Sequence, residues 1–374
     1  MKIIYFTLAL TFTFVFSFSS YADHGPKKLL SRFKLMEYVG LSKMWGPGWV
    51  QNVGVFGKNT PEDIPQVTSS KYDSFLADRY NLAAIVLKKG KITYERYNGD
   101  KRITINSLLT GLSMAKTATG AVIGQLLCEG KIKSLDDTAG EYSKFLSKTP
   151  YSNIKIRNIL QMNSGVTPKG RSDERKFNQK TLGRGMYYDK ASVREAINFY
   201  DTTSRNQGTM MNYHSSDAAV LSVLAEDITG EPLSKTFYGR IFTKFSPNGY
   251  FHWISDAAGT TVSFGNLVMK ARDWMAFGNY LMSSMKEKTC LGNFFSEGVN
   301  TAVESPFDHK QYGFMSWVYS VNGKPSLTFQ GHGGQLMVLD AVKENILLTI
   351  SIDDHYESGH LLRGTITDFA ESLE

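Results

Sequence analysis

Hydrophobic and polar positions divide this chain into two kinds of text. Short strand-like blocks gather near both ends, and helical spacing fills the middle. Leu82 to Tyr97 reads as two strands around a Lys89-Gly90 turn, the second alternating apolar and polar residues. Near the other end, "YGFMSWVYSV" leads through an Asn322-Gly323 turn into "PSLTFQG". "QLMVLD" and "ILLTISI" follow, separated by the polar "KEN". Hairpin-length turns between these blocks predict antiparallel pairing. The residues from about Gly359 to Leu373 read as a terminal helix. Between Ser113 and about Asp256 the spacing is helical, with "TPYSNIKIRNILQMNSG" and "SDAAVLSVLAEDITG" as amphipathic pieces that each stop at a glycine cap. The expected fold is therefore α/β of the α+β type. An antiparallel sheet of about five or six strands, built from both ends of the chain, is flanked by helices. A mainly helical subdomain, approximately residues 128–255, is inserted, and the cleft between the two parts is where a site would form.

Composition narrows the class. The chain has 374 residues, 42% of them hydrophobic and 21% charged, enough for a large core in one elaborate domain or two interleaved ones. The formal charge of +7 is spread out, with pairs such as Lys27-Lys28 and Lys88-Lys89 its densest points, which favours a solvated surface over a nucleic-acid groove. No internal period emerges, so a solenoid or propeller is not expected. Residues 1–22 read as an export signal: Lys2, the apolar "IIYFTLALTFTFVFSF", then the small-x-small pattern Ser20-Tyr21-Ala22. Cleavage after Ala22 would deliver a periplasmic or secreted protein with no stable membrane span; an uncleaved anchor is the alternative. Cys128 and Cys290 are too few for a disulfide scaffold or a zinc site. A buried thiol at Cys128 and a single bridge between the two are both open.

The candidate chemistry starts in "NSLLTGLSMAKTATGAVIGQLLC", Asn106 to Cys128, which holds one charged residue, Lys116. Helical spacing puts Ser113, Lys116 and Gly120 on one face, while Met114, Ala115, Ala118, Val122 and Leu126 make the others apolar. Burying an ammonium alone costs several kcal/mol, and the usual relief is a lowered pKa. A lysine so tuned, within reach of a serine hydroxyl, can act as its general base. The plainer alternative is a lysine snorkelling to the surface. Ser-x-x-Lys by itself is weak, since it also starts at Ser31, Ser152 and Ser283, but those lie in charged or polar company. Only Ser113 opens an otherwise uncharged helix.

A serine–lysine pair needs a proton relay and oxyanion donors. Tyr213, in a polar turn before "SSDAAVLSVLAEDITG", is the candidate relay, although the chain holds 19 tyrosines. His332-Gly333-Gly334 opens a strongly apolar strand, where paired glycines admit a close approach. The backbone N–H groups of Ser113 and Gln335 could flank an oxyanion there. His332 could meet a substrate carboxylate or polarise the serine–tyrosine pair; a histidine hydrogen-bonded in a hairpin fits equally well.

Together, "SMAK", "YHS" and "HGG" resemble, in order, the three motifs of the serine β-lactamase and penicillin-binding-protein superfamily. The class C-like branch, with its β-lactamase-related esterases and nylon-oligomer hydrolases, is the nearest in pattern. "LCEGKIKSLDDTAGEYSKFL", "IKIRNILQMNSGV", "YHSSDAAVLSVLAEDITGEPLSK" and "GHGGQLMVLD" resemble family segments too. The resemblance implies a hydrolase domain over 76–374 preceded by an N-terminal extension, 23–75, that it does not explain. It implies Ser113 as the acylated nucleophile, Lys116 as its activator and Tyr213 as the relay. Ser215 would stand for the substrate-binding asparagine, His332, Gly333 and Gly334 for Lys-Thr-Gly, and Gln335 N–H would complete the oxyanion hole. No cofactor or metal is implied, and the partner is a small-molecule or peptide-like ester or amide. His332 for lysine removes a permanent cation, and Ser215 for asparagine removes an amide. Both departures favour an esterase or amidase over a β-lactamase.

Three rival readings stand beside this one. In an α/β-hydrolase, "GLSMA" would be the nucleophile elbow, but Ala115 replaces the closing glycine and the strands come as hairpins. A non-catalytic envelope protein would keep the cleft only for binding. A metal site at Asp353, Asp354, His355 and His360 competes with a charged turn before the last helix.

Overall fold

The computed structural model describes residues 52–57, 72–73, 76, 81–97, 103–168, 192–198, 200–203, 205–256, 258–306, 310–351 and 359–372. The export segment 1–22 and most of 23–75 lie outside these described residues, as do Asp353, Asp354, His355 and the side chain of His360. The strands are β1 (Asn52–Gly57), β2 (Asn81–Lys88), β3 (Lys91–Tyr97), β4 (Leu108–Thr110), β5 (Val166–Pro168), β6 (Tyr200–Thr203) and β7 (Tyr250–Ser255). They continue as β8 (Leu267–Lys270), β9 (Val303–Glu304), β10 (Gln311–Tyr312), β11 (Trp317–Val321), β12 (Lys324–Gly331), β13 (Gln335–Asp340) and β14 (Asn345–Ser351). The helices are α1 (Ala115–Cys128), α2 (Ala139–Tyr142), α3 (Ile156–Leu160), α4 (Val193–Ile197) and α5 (Ser215–Thr229). After these come α6 (Leu233–Phe237), α7 (Thr243–Phe245), α8 (Ala271–Lys286), α9 (Cys290–Asn300) and α10 (Gly359–Ser372).

One antiparallel sheet organises the molecule, in the order β3-β2-β14-β13-β12-β11-β10-β9. It has eight described strands where about six were expected, because β9 and β10 are two residues long and show no alternation to read. Strands distant in the chain meet within it: β14 pairs with β2, Leu347 opposite Val86. Both strands are buried almost throughout, and that explains their unbroken apolar text. One face of the sheet carries α8, with Phe277 against Phe329 at 5.6 Å between ring centroids. The other face packs Ala84, Val86 and Leu347 against Tyr72, Leu76 and Phe369 of α10. The hairpin turns have the form their residues dictate. Lys89 and Gly90 both take positive φ (48° and 77°), as do Asn322 and Gly323 (50° and 72°). That conformation matches the right-handed twist of the strands they join.

A second sheet, β1-β7-β8-β4, was not expected. The helical reading of the middle region to about Asp256 is corrected at Tyr250–Ser255, which is a strand between β1 and β8. Its signal was present, since Phe251 and Trp253 alternate inward, but β4 and β8 are too short to carry a period. In the helical part, α1 is buried on nearly all sides, and its end is tied to the start of α9 by the Cys128–Cys290 disulfide. Of the two readings of these cysteines, the structure has the bridge. Among the described residues, no helix is long and apolar enough to cross a membrane. Nor do the described residues hold a group of three or more His, Cys, Asp or Glu side chains able to take a metal ion.

Candidate active site

Ser113 sits where β4 turns into α1, in a 3-10 turn over Leu112–Met114. The entry is tight. Gly111 N–H donates to Leu267 O at 3.0 Å, and a Cβ at Gly111 would lie 2.2 Å from the Trp274 ring. Only glycine fits there. Leu112 is then forced to φ +44°, a left-handed conformation that costs a leucine on the order of 1 kcal/mol. The turn leaves Ser113 half-buried and the next residues inside.

One helical turn later Lys116 is 2% exposed. Its Nζ donates to Ser113 Oγ at 2.9 Å and to the Phe264 carbonyl at 2.7 Å. It also lies 5.0 Å from the centroid of the Tyr213 ring. Burial pulls its pKa down from 10.5 to about 7. The lysine does not snorkel; it is held inside by a carbonyl that the local sequence gave no reason to choose. That carbonyl is on a braced loop: Trp253 Nε1 donates to both Val262 O and Gly265 O at 3.1 Å. Thr119 of α1 donates to Ser263 O at 2.9 Å, and Ser263 donates to Ala218 O of α5 at 2.7 Å.

Tyr213 joins the pair from the turn before α5. Its ring stacks on Trp317 at 5.1 Å and meets the edge of Tyr312 at 5.7 Å. The structure thus places Tyr213 beside Lys116. Ser215 is the first residue of α5 and is half-buried. Behind it lies a buried cluster that sequence reading missed: His214, Ser216 and Asp217, with Tyr151 and Ser164 from another part of the chain. Nothing in a one-dimensional pattern announces a contact between residues 151 and 217.

The glycine pair takes a form different from the one expected. His332, Gly333 and Gly334 make the turn between β12 and β13 rather than opening a strand, and both glycines have positive φ, 87° and 94°. His332 is exposed at this turn. The close approach to the serine turn is made one residue earlier, where a Cβ on Gly331 would lie 2.4 Å from Gly111 O. Gln335 faces Gly331 across the hairpin, and its side-chain amide donates to Ser351 O at 2.7 Å. Ser113, Lys116 and Tyr213 are thus brought together, and the β12–β13 end closes against the residues just before Ser113.

A neutral lysine in this position has one lone pair. With one N–H on the Phe264 carbonyl, that lone pair can accept the Ser113 hydroxyl proton across 2.9 Å. Such a pair, at the edge of a sheet and below an aromatic wall, is equipped to attack a carbonyl carbon.

Comparison with known proteins bears on the family and the fold. The family model described as β-lactamase matches residues 70–366. A β-lactamase of Pseudomonas fluorescens is 25% identical over 189 residues, 49% of each chain. This chain thus spans about half the length of that curated relative. A Bacillus anthracis protein assigned as a 6-aminohexanoate-dimer hydrolase superposes with a TM-score of 0.73 at 17% identity, covering 91% of this chain and 96% of that one. A D-stereospecific amidohydrolase from Streptomyces sp. superposes with a TM-score of 0.59 at 18% identity, covering 78% and 95%. At these identities the structural likeness is one of fold. The family match spans most of the chain, and the chain belongs to the β-lactamase family.

Proposed function

We propose that this protein is an exported serine hydrolase that cleaves an ester or amide through an acyl-enzyme on Ser113. The observation that carries the reading is the buried Lys116 ammonium 2.9 Å from Ser113 Oγ, with its pKa brought down to about 7. In the acylation step Ser113 Oγ bonds the substrate carbonyl carbon and its proton passes to Lys116 Nζ. The bond to the leaving group then breaks, and Tyr213 hands a proton to the departing oxygen or nitrogen. Water attacks the acyl-serine next, and the reverse proton movements free Ser113. The Ser113 N–H and an N–H of the β12–β13 segment, with Gln335 the candidate, face the developing oxyanion.

The substrate reading rests on the two departures from the penicillin-binding motifs. An exposed His332 in a turn is a poor replacement for a permanent cation, and Ser215 offers a hydroxyl in place of an amide. Both favour simple esters and amides over β-lactams. Export is supported by the character of residues 1–22 and by the Cys128–Cys290 bridge, since disulfides persist in oxidising compartments.

The test is intact-mass spectrometry after incubation with a fluorophosphonate, p-nitrophenyl butyrate, benzylpenicillin and a D-Ala-D-Ala peptide. The fluorophosphonate adduct should map to Ser113 and be absent from Ser113→Ala, whose fold should survive. Turnover by Ser113→Ala equal to the parent would sink the proposal. A penicillin adduct that forms and then clears by hydrolysis would move the substrate class to β-lactams.

A further inference from the structure

The buried cluster behind Tyr213 has no part in the chemistry just described, yet its polar side chains are joined to one another through five contacts. Asp217, in the first turn of α5, is 0% exposed. Its Oδ1 accepts from the Tyr151 hydroxyl and from the Ser164 hydroxyl, both at 2.9 Å, and lies 3.5 Å from His214 Nε2. The Tyr151 hydroxyl is also 2.8 Å from Ser216 Oγ, which is 2.5 Å from His214 Nδ1. The contacts close into a ring, Asp217–Tyr151–Ser216–His214–Asp217.

Counting protons orders that ring. Tyr151 has one hydroxyl proton, and an ionised Asp217 takes it. Ser216 must then donate to Tyr151, and His214 must donate from Nδ1 to Ser216. Contacts at both ring nitrogens, Nδ1 to Ser216 and Nε2 to Asp217, hold His214 in one orientation. The carboxylate is an expensive component. Burial pushes its pKa up against the pull of His214, Ser164 and Tyr151, and Oδ2 has no hydrogen-bond partner among the described residues. A stability-driven core would not keep such a group.

The ring's position suggests what it does. His214 follows Tyr213 directly. On the other side, Asn212 N–H donates to Met162 O at 2.7 Å, in the loop that also supplies Ser164. Tyr213 is therefore suspended between two anchored neighbours, with its ring placed between Trp317 and the Lys116 ammonium. The Asp217 charge reaches the same wall: burial, Tyr213 and then Asp217 raise the Tyr312 hydroxyl pKa.

We infer that Asp217 is a positioning residue for Tyr213: through Tyr151, Ser216 and His214 it holds the 212–215 segment so that the phenol can pass a proton to the leaving group. The inference rests on the acyl-transfer reading above and adds the residues that make its relay work.

The discriminating measurement uses two esters of one acid. Tributyrin releases an alkoxide that needs a proton, whereas p-nitrophenyl butyrate releases a phenolate that does not. Tyr213→Phe should lower the ratio of tributyrin to p-nitrophenyl butyrate turnover by at least about tenfold. Asp217→Asn, and Tyr151→Phe as the milder variant, should lower the same ratio by about tenfold through kcat, with KM little changed. Neither should lower it further in a Tyr213→Phe background. Equal losses on both esters, or a loss that adds to that of Tyr213→Phe, would overturn the inference by showing a general structural role. An unchanged ratio in Tyr213→Phe itself, or no turnover of either ester by the parent protein, would instead overturn the underlying reading of the site.

Discussion

Replacing Lys116 by methionine should remove activity and, in the same protein, remove a pH dependence of stability. The folded lysine has a pKa of about 7 against 10.5 for the free side chain. Below pH 7 both folded and unfolded chains hold the proton, so the full burial cost is present, on the order of 5 kcal/mol. Between pH 7 and 10.5 the unfolded chain binds more protons than the folded one, so stability rises with pH. Above 10.5 the cost is gone. From pH 6 to pH 9 this one residue should therefore make the parent protein more stable by about 2–3 kcal/mol. Methionine has similar volume and no charge, so Lys116→Met should lack that contribution. It also leaves the Phe264 carbonyl without its donor, a cost of about 1–3 kcal/mol that does not vary with pH. The assay is urea unfolding followed by tryptophan fluorescence at pH 6, 7, 8 and 9, with the disulfide intact. All other titrating groups are shared, so the difference between the two proteins isolates Lys116. The expected result is a variant whose relative stability is highest at pH 6 and falls by about 2–3 kcal/mol at pH 9. A constant difference across that range would mean that the lysine is not desolvated, and the argument for it as a base would fail with it.

The same pKa sets the acid limb of catalysis. Acylation should rise about tenfold per pH unit up to pH 7 and level off above it, measured as kcat/KM on p-nitrophenyl butyrate. A flat profile from pH 5 to 9 would remove Lys116 as the titrating base. Tyr213→Phe should slow tributyrin hydrolysis by about 100-fold, within the usual range for a positioned proton donor. An unchanged rate would mean that another group protonates the alkoxide. Gly331→Ala should cut activity at least about tenfold, because its Cβ would press within 2.4 Å of Gly111 O, a backbone atom that cannot step aside. Wild-type kinetics in that variant would show that the β12–β13 end does not govern the serine turn. Replacing Cys128 and Cys290 by serine should lower unfolding stability by up to about 5 kcal/mol, the chain-entropy value for a crosslink spanning 162 residues. No loss in urea unfolding would mean that the bridge adds nothing.

The sheet was legible wherever pairing is local. Lys89-Gly90 and Asn322-Gly323 encode two-residue turns, and the strands beside them carry either alternation or an unbroken apolar run. β4 and β8, of three and four residues, carry too little text to show a period, and β7 lay inside a region otherwise helical. The chemistry divides along the same line. Ser113 and Lys116 are neighbours by helical spacing, so their pairing could be read from four letters and the uncharged text around them. What tunes the lysine could not, because Phe264, whose carbonyl accepts from it, is 148 residues away. Tyr213 was one choice among 19 until packing set it beside the ammonium. The ring of Asp217, Tyr151, Ser216 and His214 joins positions up to 66 residues apart and has no periodic signature. His332-Gly333-Gly334 was visible as a place of close approach, but its form as a turn, with Gly331 making the contact, depends on how β12 meets the serine turn. Periodicity and turn chemistry act between residues near in the chain, and they determined the elements and the serine–lysine pair. Desolvation, long-range hydrogen bonds and ring stacking exist only once the elements are packed. For that reason the tertiary structure alone decided which lysine is buried and which tyrosine stands over it.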